Sequence, residues 1–322
     1  MIKSQDFIKK HLETSIATGM LDCIIVGSVN GLICLTDISC FGPTIYLTNP
    51  SINKYLILPS SSIYRDESDL QNIQVSIGFG YHEITNDFKV VRIGFIGNDW
   101  LNEDEYEEPS TPPNGYDFES RVEVFSLNTK TWKTLDLTPD FSNYKRHDIL
   151  SGVVVNECLH WKAIKSNICE DKMIILSFHI GEETFQEIEW PMSFQDEGAI
   201  DLCRCLCEFK GKLGIFTFCP IECWVGPGEQ PCYLWVMEEY GEKNSWTCHA
   251  IIVPEMVIHM PLVFTRNGEI IIKDALGRIF CYDFNNNQLL DLNIQDEEHD
   301  LNFINFTDSL VLVDLDDEPT GE

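Results

Sequence analysis

Beyond Gly19 the chain is one pattern repeated: four short apolar or alternating runs, a break, then four more, with a period of about 55 residues. The first group is Leu21–Gly27, Leu32–Thr36, Thr44–Thr48 and Lys54–Leu58. The second is Val75–Tyr81, Phe88–Ile96, Val122–Leu127 and Trp132–Leu137. The third is Gly152–Val155, Cys158–Ile164, Met173–Ile180 and Phe185–Trp190. The fourth is Leu202–Phe209, Lys212–Phe218, Tyr233–Met237 and Trp246–Ile252. The fifth is Leu262–Thr265, Glu269–Lys273, Arg278–Phe284 and Leu289–Ile294. A last pair, Phe303–Phe306 and Ser309–Val313, stands alone.

The punctuation repeats with the runs. First and second runs are joined at Asn30-Gly31, Asn86-Asp87, Asn156-Glu157, Gly211 and Asn267-Gly268. These residue types tolerate the positive φ of a tight hairpin. Third and fourth runs are joined by Asn- and Gly-containing turns, and in four of the five an aromatic follows: Tyr55, Trp132, Phe185 and Trp246. A four-stranded unit with two apolar faces cannot bury them alone, and radial stacking buries both while protecting the strand edges. The pattern predicts an all-β protein, a β-propeller of five clear blades and a sixth built from the two chain ends. A β-sandwich leaves the matched turns unexplained. Before the first run, Phe7, Ile8, Leu12 and Ile16 predict a short N-terminal helix that Gly19 ends.

The main departure from the period is residues 98–120, NDWLNEDEYEEPSTPPNGYDFES, between the second and third runs of the second group. It is acidic, Pro-rich and too polar for core, which suits a binding loop or a solvated insertion. The charge of the whole chain points the same way: 52 acids against 22 bases give −30. Such a field repels nucleic-acid phosphates and anionic lipids, and it attracts a basic protein. Asp99, Trp100, Glu103, Asp104, Glu105, Glu107 and Glu108 are therefore the candidate partner-binding residues. Trp100, Tyr106 and Tyr116 are aromatics of the kind that anchor interfaces. A local cluster that pins the loop to its own blade remains the other reading.

No catalytic motif is present. Gly78-Phe79-Gly80 lacks the third glycine of a dinucleotide fingerprint, and no helix pattern follows it. Cys203, Cys205 and Cys207 share one strand face, with Cys219 and Cys223 close in sequence, but the paired spacing of a zinc site is missing and core packing is favoured. The thirteen cysteines show no disulfide framework. His160 and His179 read as core or rim histidines. No cofactor or metal is expected. With no signal-peptide pattern and no long apolar stretch, the expected location is cytoplasmic.

Several strings are similar to a known family. Val29–Leu35, Asn49-Pro50 with Lys54-Tyr55 and Leu58-Pro59, Gly78–Gly80, Asn86–Ile93, Val122–Leu127 with Trp132, and Leu159–Trp161 resemble the F-box-associated domain of plant F-box proteins. Leu234–Gly241 followed by Ser245-Trp246 resembles its S-locus F-box branch. The resemblance implies a substrate-recognition component of an SCF-type E3 ubiquitin ligase. It implies a protein target, in that branch a basic S-RNase of plant self-incompatibility, with a Skp-type adaptor and cullin as partners of a full-length form. It implies no enzyme. An orphan paralogue or scaffold that binds an unrelated protein is the alternative, and a propeller enzyme is a third reading. Only Asp6–Leu12 resembles the F-box itself, its last helix, so the chain as written is expected to bind a target and not to dock strongly on the adaptor. The expected organisation is 1–18 as that remnant and linker, 19–315 as the propeller domain and 316–322 as an acidic tail.

Overall fold

A computed structural model describes residues 23–37, 44–52, 54–60, 73–96, 119–136, 144–145, 152–166, 171–191, 203–218, 232–251, 258–296 and 304–311. The expected N-terminal helix, and the domain limits at 18 and 315, lie outside them.

The described strands form five antiparallel meanders, the blade type of a β-propeller. The first is β1 (Cys23–Val29), β2 (Leu32–Asp37), β3 (Ile45–Asn49) and β4 (Lys54–Ile57). The second is β5 (Ile73–His82), β6 (Asp87–Ile96), β7 (Glu119–Ser126) and β8 (Thr131–Thr134). The third is β10 (Val153–Val155), β11 (Cys158–Ser166), β12 (Asp171–His179) and β13 (Thr184–Glu189), with a two-residue strand β9 (Tyr144–Lys145) added beside β11. The fourth is β14 (Cys203–Phe209), β15 (Lys212–Phe218), β16 (Cys232–Met237) and β17 (Trp246–Ile251). The fifth is β18 (Ile258–Phe264), β19 (Glu269–Asp274), β20 (Arg278–Asp283) and β21 (Gln288–Gln295). The five groups of runs are these five blades. The only helical element among the described residues is a 3-10 turn at Lys243–Ser245.

The turn residues explain the registers. Asn30, Asn86, Asn156, Lys210 and Gly268 all have φ between 47° and 81°, one in each first hairpin. Lys130, Glu183, Gly241 and Asn287 have φ between 55° and 84° in the later hairpins. Left-handed turn residues match the right-handed twist of the strands they join.

The chain divides into two compact units, one of residues 19–187 with 306–322, the other of 188–305 with 1–18. In the first unit the core lies between neighbouring blades. Val26, Leu47, Phe79, Val90 and Phe125 pack together between blades one and two. Val91, Ile93, Leu159, Trp161 and Phe178 pack between blades two and three. Gly78 and Gly80 on β5 permit that second approach. A Cβ on Gly78 would stand 2.5 Å from the Trp161 ring, and one on Gly80 would stand 2.2 Å from Ile180 Cδ1. The Gly78-Phe79-Gly80 string is thus a packing device, with Phe79 turned to the other face. In the second unit Phe216, Leu234, Phe264, Ile270 and Tyr282 build the core between blades four and five.

The sixth blade expected from the two chain ends is absent among the described residues. Residues 304–311 carry no strand. Asn305 Nδ2 donates to Phe264 O on blade five, while residues 309–311 bond to blade one through a side chain.

Two buried polar groups make stability sensitive to sequence and to pH. On blade five the Lys273 ammonium lies 3.1 Å from Asp296 Oδ2, and both side chains are only 2% exposed. We expect Asp296→Ala to cost about 3–5 kcal/mol in urea denaturation, because it strands a buried cation. Lys273→Met combined with Asp296→Leu should recover most of that loss.

On blade three His160 is fully buried, with Nδ1 3.0 Å from Val153 O. Burial pushes its pKa down from 6.5 to about 4, against the pull of the Val153 and Cys158 backbone. The unfolded chain therefore takes up a proton that the fold refuses, so stability is full above the ordinary value and falls as pH drops through this window. The fold should lose about 2 kcal/mol between pH 6.5 and 5 on this account. His160→Gln should flatten that part of the stability–pH curve.

Candidate functional site

In a meander, the turns between first and second strands and between third and fourth strands lie at one end of the blade. At this end of blades one and two the structure forms a cleft of about 720 Å3. Its floor is apolar: Phe88, Leu127 and Val311, the last two being half-buried side chains on the edge of the core between the blades. Asn30, Asn86 and Asn128 also line it.

The frame of the cleft is tied by one buried carboxylate. Asp87, the first residue of β6, accepts from Ser126 Oγ at 2.7 Å and from the Asn128 backbone N–H at 3.0 Å. Asn128 Nδ2 in turn donates to Thr85 O at 3.2 Å. The β5–β6 and β7–β8 turns are thereby locked to each other. Tyr81 leans on Phe88 with ring centroids 4.8 Å apart, and its hydroxyl donates to Asn86 Oδ1.

The remaining wall is a strap, residues 306–311, held by Asn49. This asparagine ends β3 and is fully buried. Its Oδ1 accepts from Ser51 N at 3.0 Å, closing an Asx turn over Pro50. Its Nδ2 donates to Ser309 O at 3.2 Å and to Val311 O at 3.1 Å. One amide therefore sets the turn and captures a segment some 260 residues away. Ser51 Oγ adds a bond to Asp308 Oδ1 at 3.2 Å. Gly31 makes room, since a Cβ there would stand 2.1 Å from Ser309 Cβ.

On the other flank of blade two, Glu183 of the β12–β13 turn joins two lysines. Its Oε1 lies 2.8 Å from Lys89 Nζ and its Oε2 2.7 Å from Lys133 Nζ, while Lys89 also donates to Ile180 O at 2.9 Å. Burial pushes the Glu183 carboxyl up, but the bonds and charges of Lys133 and Lys89 outweigh it and hold the group below its usual range. Trp132 at the start of β8 packs at a tilt against Phe125 with ring centroids 5.3 Å apart, carries Arg92 over its ring at 4.5 Å, and donates Nε1–H to Pro59 O at 2.8 Å. These contacts fix blade two rather than offer chemistry.

The sequence-derived candidates fall elsewhere. Asp99, Trp100, Glu103, Asp104, Glu105, Glu107 and Glu108, with Tyr106 and Tyr116, lie outside the described residues. β6 ends at Ile96 and β7 starts at Glu119, strand ends that lie opposite the cleft. Cys207 is buried, its thiol pushed up by that burial, and Cys205 is half-buried beside it. Among the described residues no three His, Cys, Asp or Glu side chains are grouped to hold a metal. His179 Nδ1 accepts from Glu182 N at 3.1 Å and shapes a turn. The cleft residues were not singled out in the sequence. Their signal was the recurrence of asparagine at turns 30, 86 and 128, which also reads as plain hairpin chemistry.

Residues 2–314 match the family model described as F-box associated beta propeller domain. An F-box protein of Arabidopsis thaliana is 29% identical over 74% of this chain and 52% of its own length. F-box protein CPR1 of Arabidopsis thaliana is 26% identical over 84% of this chain and 64% of its own. An F-box/kelch-repeat protein of the same plant is 23% identical over 81% of this chain and 61% of its own. The chain thus spans between about half and two thirds of the length of the curated relatives it matches. Among solved structures, Trypanosoma rangeli sialidase superposes with a TM-score of 0.45 at 10% identity, over 86% of this chain and 49% of that one. A likeness that loose carries no argument about activity.

Asn49 offers a direct check on the strap. Asn49→Ala should cost about 2 kcal/mol, since it leaves two carbonyls and an amide without their partner. Hydrogen exchange at Val311 should rise together with that loss. Asn49→Asp should be no better, because its second oxygen would face the two carbonyls.

Proposed function

The chain belongs to the F-box associated beta propeller domain family, and from that premise we propose that it is the target-recognition part of an SCF-type ubiquitin ligase, acting in the cytoplasm by binding rather than by chemistry. The observation that carries this reading is the family match over residues 2–314, together with curated relatives that are F-box proteins. The blade architecture suits the role. Tight, hydrogen-bonded hairpins make a rigid scaffold, and longer connections on such a scaffold are where recognition residues gather. A Skp-type adaptor and a cullin would join the longer form of the protein.

The finer reading is the S-locus branch, with a basic S-RNase as target. Two features support it: the Leu234–Gly241 string with Ser245-Trp246, and the net charge of −30. A strongly acidic protein draws a basic partner by long-range attraction, so the encounter should be fast and salt-sensitive. The acidic insertion, through Asp99, Glu103, Asp104, Glu105, Glu107 and Glu108 with Trp100 beside them, is the proposed contact.

Surface-immobilised S-RNases and unrelated basic proteins of similar charge provide the test. Association of the S-RNase should be fast at low salt and slow markedly at high salt. Changing the six insertion acids to lysine should lower the on-rate about tenfold with little effect on the off-rate. Equal association of wild type and variant would remove the insertion from the contact. Equal capture of every basic protein would remove the S-RNase assignment and leave only charge.

A further inference from the structure

Blade five buries side chains on both faces, and a neighbouring blade accounts for one of them. Ile270 and Ile272 of β19 pack with Phe216 and Leu234 of blade four. Ile271, between them, points to the other face. There it joins Ile279, with the half-buried Leu262, Val263, Cys281, Leu292 and Ile294 around the pair. All of these side chains belong to blade five itself. We propose that this second face is the seat of the chain's own N-terminal segment, residues 7–16, laid across the sheet as one amphipathic helix.

Three observations carry the proposal. The first is burial. Ile271 and Ile279 are 0% exposed. One sheet leaves such side chains open to water unless a second layer lies over them. Among the described residues, no apolar side chain from outside blade five packs in this cluster.

The second is the shape and chemistry of the face. Lys273 shares it with Ile271 by strand alternation, and its charge is met within the blade by Asp296 at 3.1 Å. The face therefore asks for an apolar occupant. Burial is complete at Ile271 and Ile279, on the two central strands, and fades toward the edge strand. Leu290 of β21, opposite Cys281 in the ladder, is 62% exposed. A whole blade would cover β21 as well. A single helix, about 10 Å wide with its side chains, covers two strands spaced about 4.8 Å apart.

The third is the segment. Ile8, Leu12 and Ile16 stand four residues apart with Phe7 beside them, while Lys9, Lys10 and Glu13 fall on the other side. Ten helical residues run about 15 Å, close to the length of a five-residue strand. Residues 1–18 belong to the same compact unit as blades four and five. Of the runs in that unit outside the described residues, only this one has apolar residues at helical spacing over more than two turns.

The seat itself stands apart from the target-recognition reading, and only its consequence rests on it. Asp6–Leu12 is the stretch that resembles the last helix of an F-box, so the seat would fix the adaptor-binding end of the longer protein against blade five.

Cys281 reports on the face, because it is a free, half-buried thiol within it. The experiment is alkylation of the full purified chain with N-ethylmaleimide, read cysteine by cysteine by mass spectrometry. Phe7→Asp combined with Leu12→Asp should speed alkylation of Cys281 at least about tenfold and raise hydrogen exchange in β19 and β20. Exposed Cys248 should react as before, and buried Cys34 and Cys158 should stay closed. Lys9→Glu combined with Lys10→Glu, on the polar side, should change neither readout. Photo-crosslinking is the second measurement: benzoylphenylalanine in place of Phe7 should form adducts within residues 258–295. Unchanged Cys281 in the Asp variant would overturn the proposal, as would adducts confined to other blades. Protection of Cys281 that fades on dilution, or adducts between two chains, would overturn it in favour of a second copy on this face. If the Asp variant opens Cys34 and Cys158 as well, it has lost the fold, and the adduct map alone decides. No adduct on blade five while a target is still captured removes the seat and leaves target recognition standing. Adducts on blade five with no target captured support the seat and count against the recognition reading.

Discussion

A four-stranded meander with apolar side chains on both faces has no stable existence as a single sheet, and this constraint shapes the whole chain. β6 shows it most directly. Val90 and Val91 are adjacent in sequence and both fully buried, yet they belong to different cores. Alternation along a strand sends one toward blade one and the other toward blade three. At roughly 25 cal/mol per Å2 of apolar surface removed from water, either face left open would cost more than a typical domain has to spare. Blade two is therefore held by its neighbours, and its position fixes the turns that frame the cleft.

Close stacking then dictates the exceptions to ordinary strand composition. Glycine weakens a strand interior, yet Gly78 and Gly80 stand in β5, because Trp161, Leu159 and Ile180 occupy the space that their Cβ atoms would need. Several polar groups trapped by the same stacking find specific partners. Lys89 finds Ile180 O and Glu183, Asp87 finds Ser126 and Asn128, and Asn49 finds the strap. Each is a long polar reach from a strand end rather than a ladder bond.

The blades were legible in the sequence because two independent signals coincide in them. Apolar runs of strand length recur, and residues able to adopt positive φ stand where the runs meet. Lys212–Phe218 matches β15 residue for residue. The strap was misread as a strand pair because Phe303–Phe306 and Ser309–Val313 have strand composition. Among the described residues 304–311 no strand forms, and a side-chain amide some 260 residues away holds them, which no local pattern encodes. The Lys273–Asp296 pair escaped for a similar reason. A lysine at the end of an apolar run, next to an aspartate, looks like the solvated end of a strand. Only the fold shows Lys273 at 1% exposure beside an acid that stands just past the end of β21.

The candidate cleft was hidden by redundancy rather than by distance. Asn30, Asn86 and Asn128 each have a sufficient reason to exist as turn residues, so nothing in the sequence asks for a second one. The structure supplies it by placing three such turns around one apolar floor and adding the strap as a wall. A hairpin asparagine costs the fold nothing and can still face a ligand, whereas a binding residue in a core strand would compete with packing. Turn chemistry can change without touching the stacking that holds the blades. The constraint that fixes the fold acts on the faces of the sheets, and the turn residues that line the cleft sit at their ends.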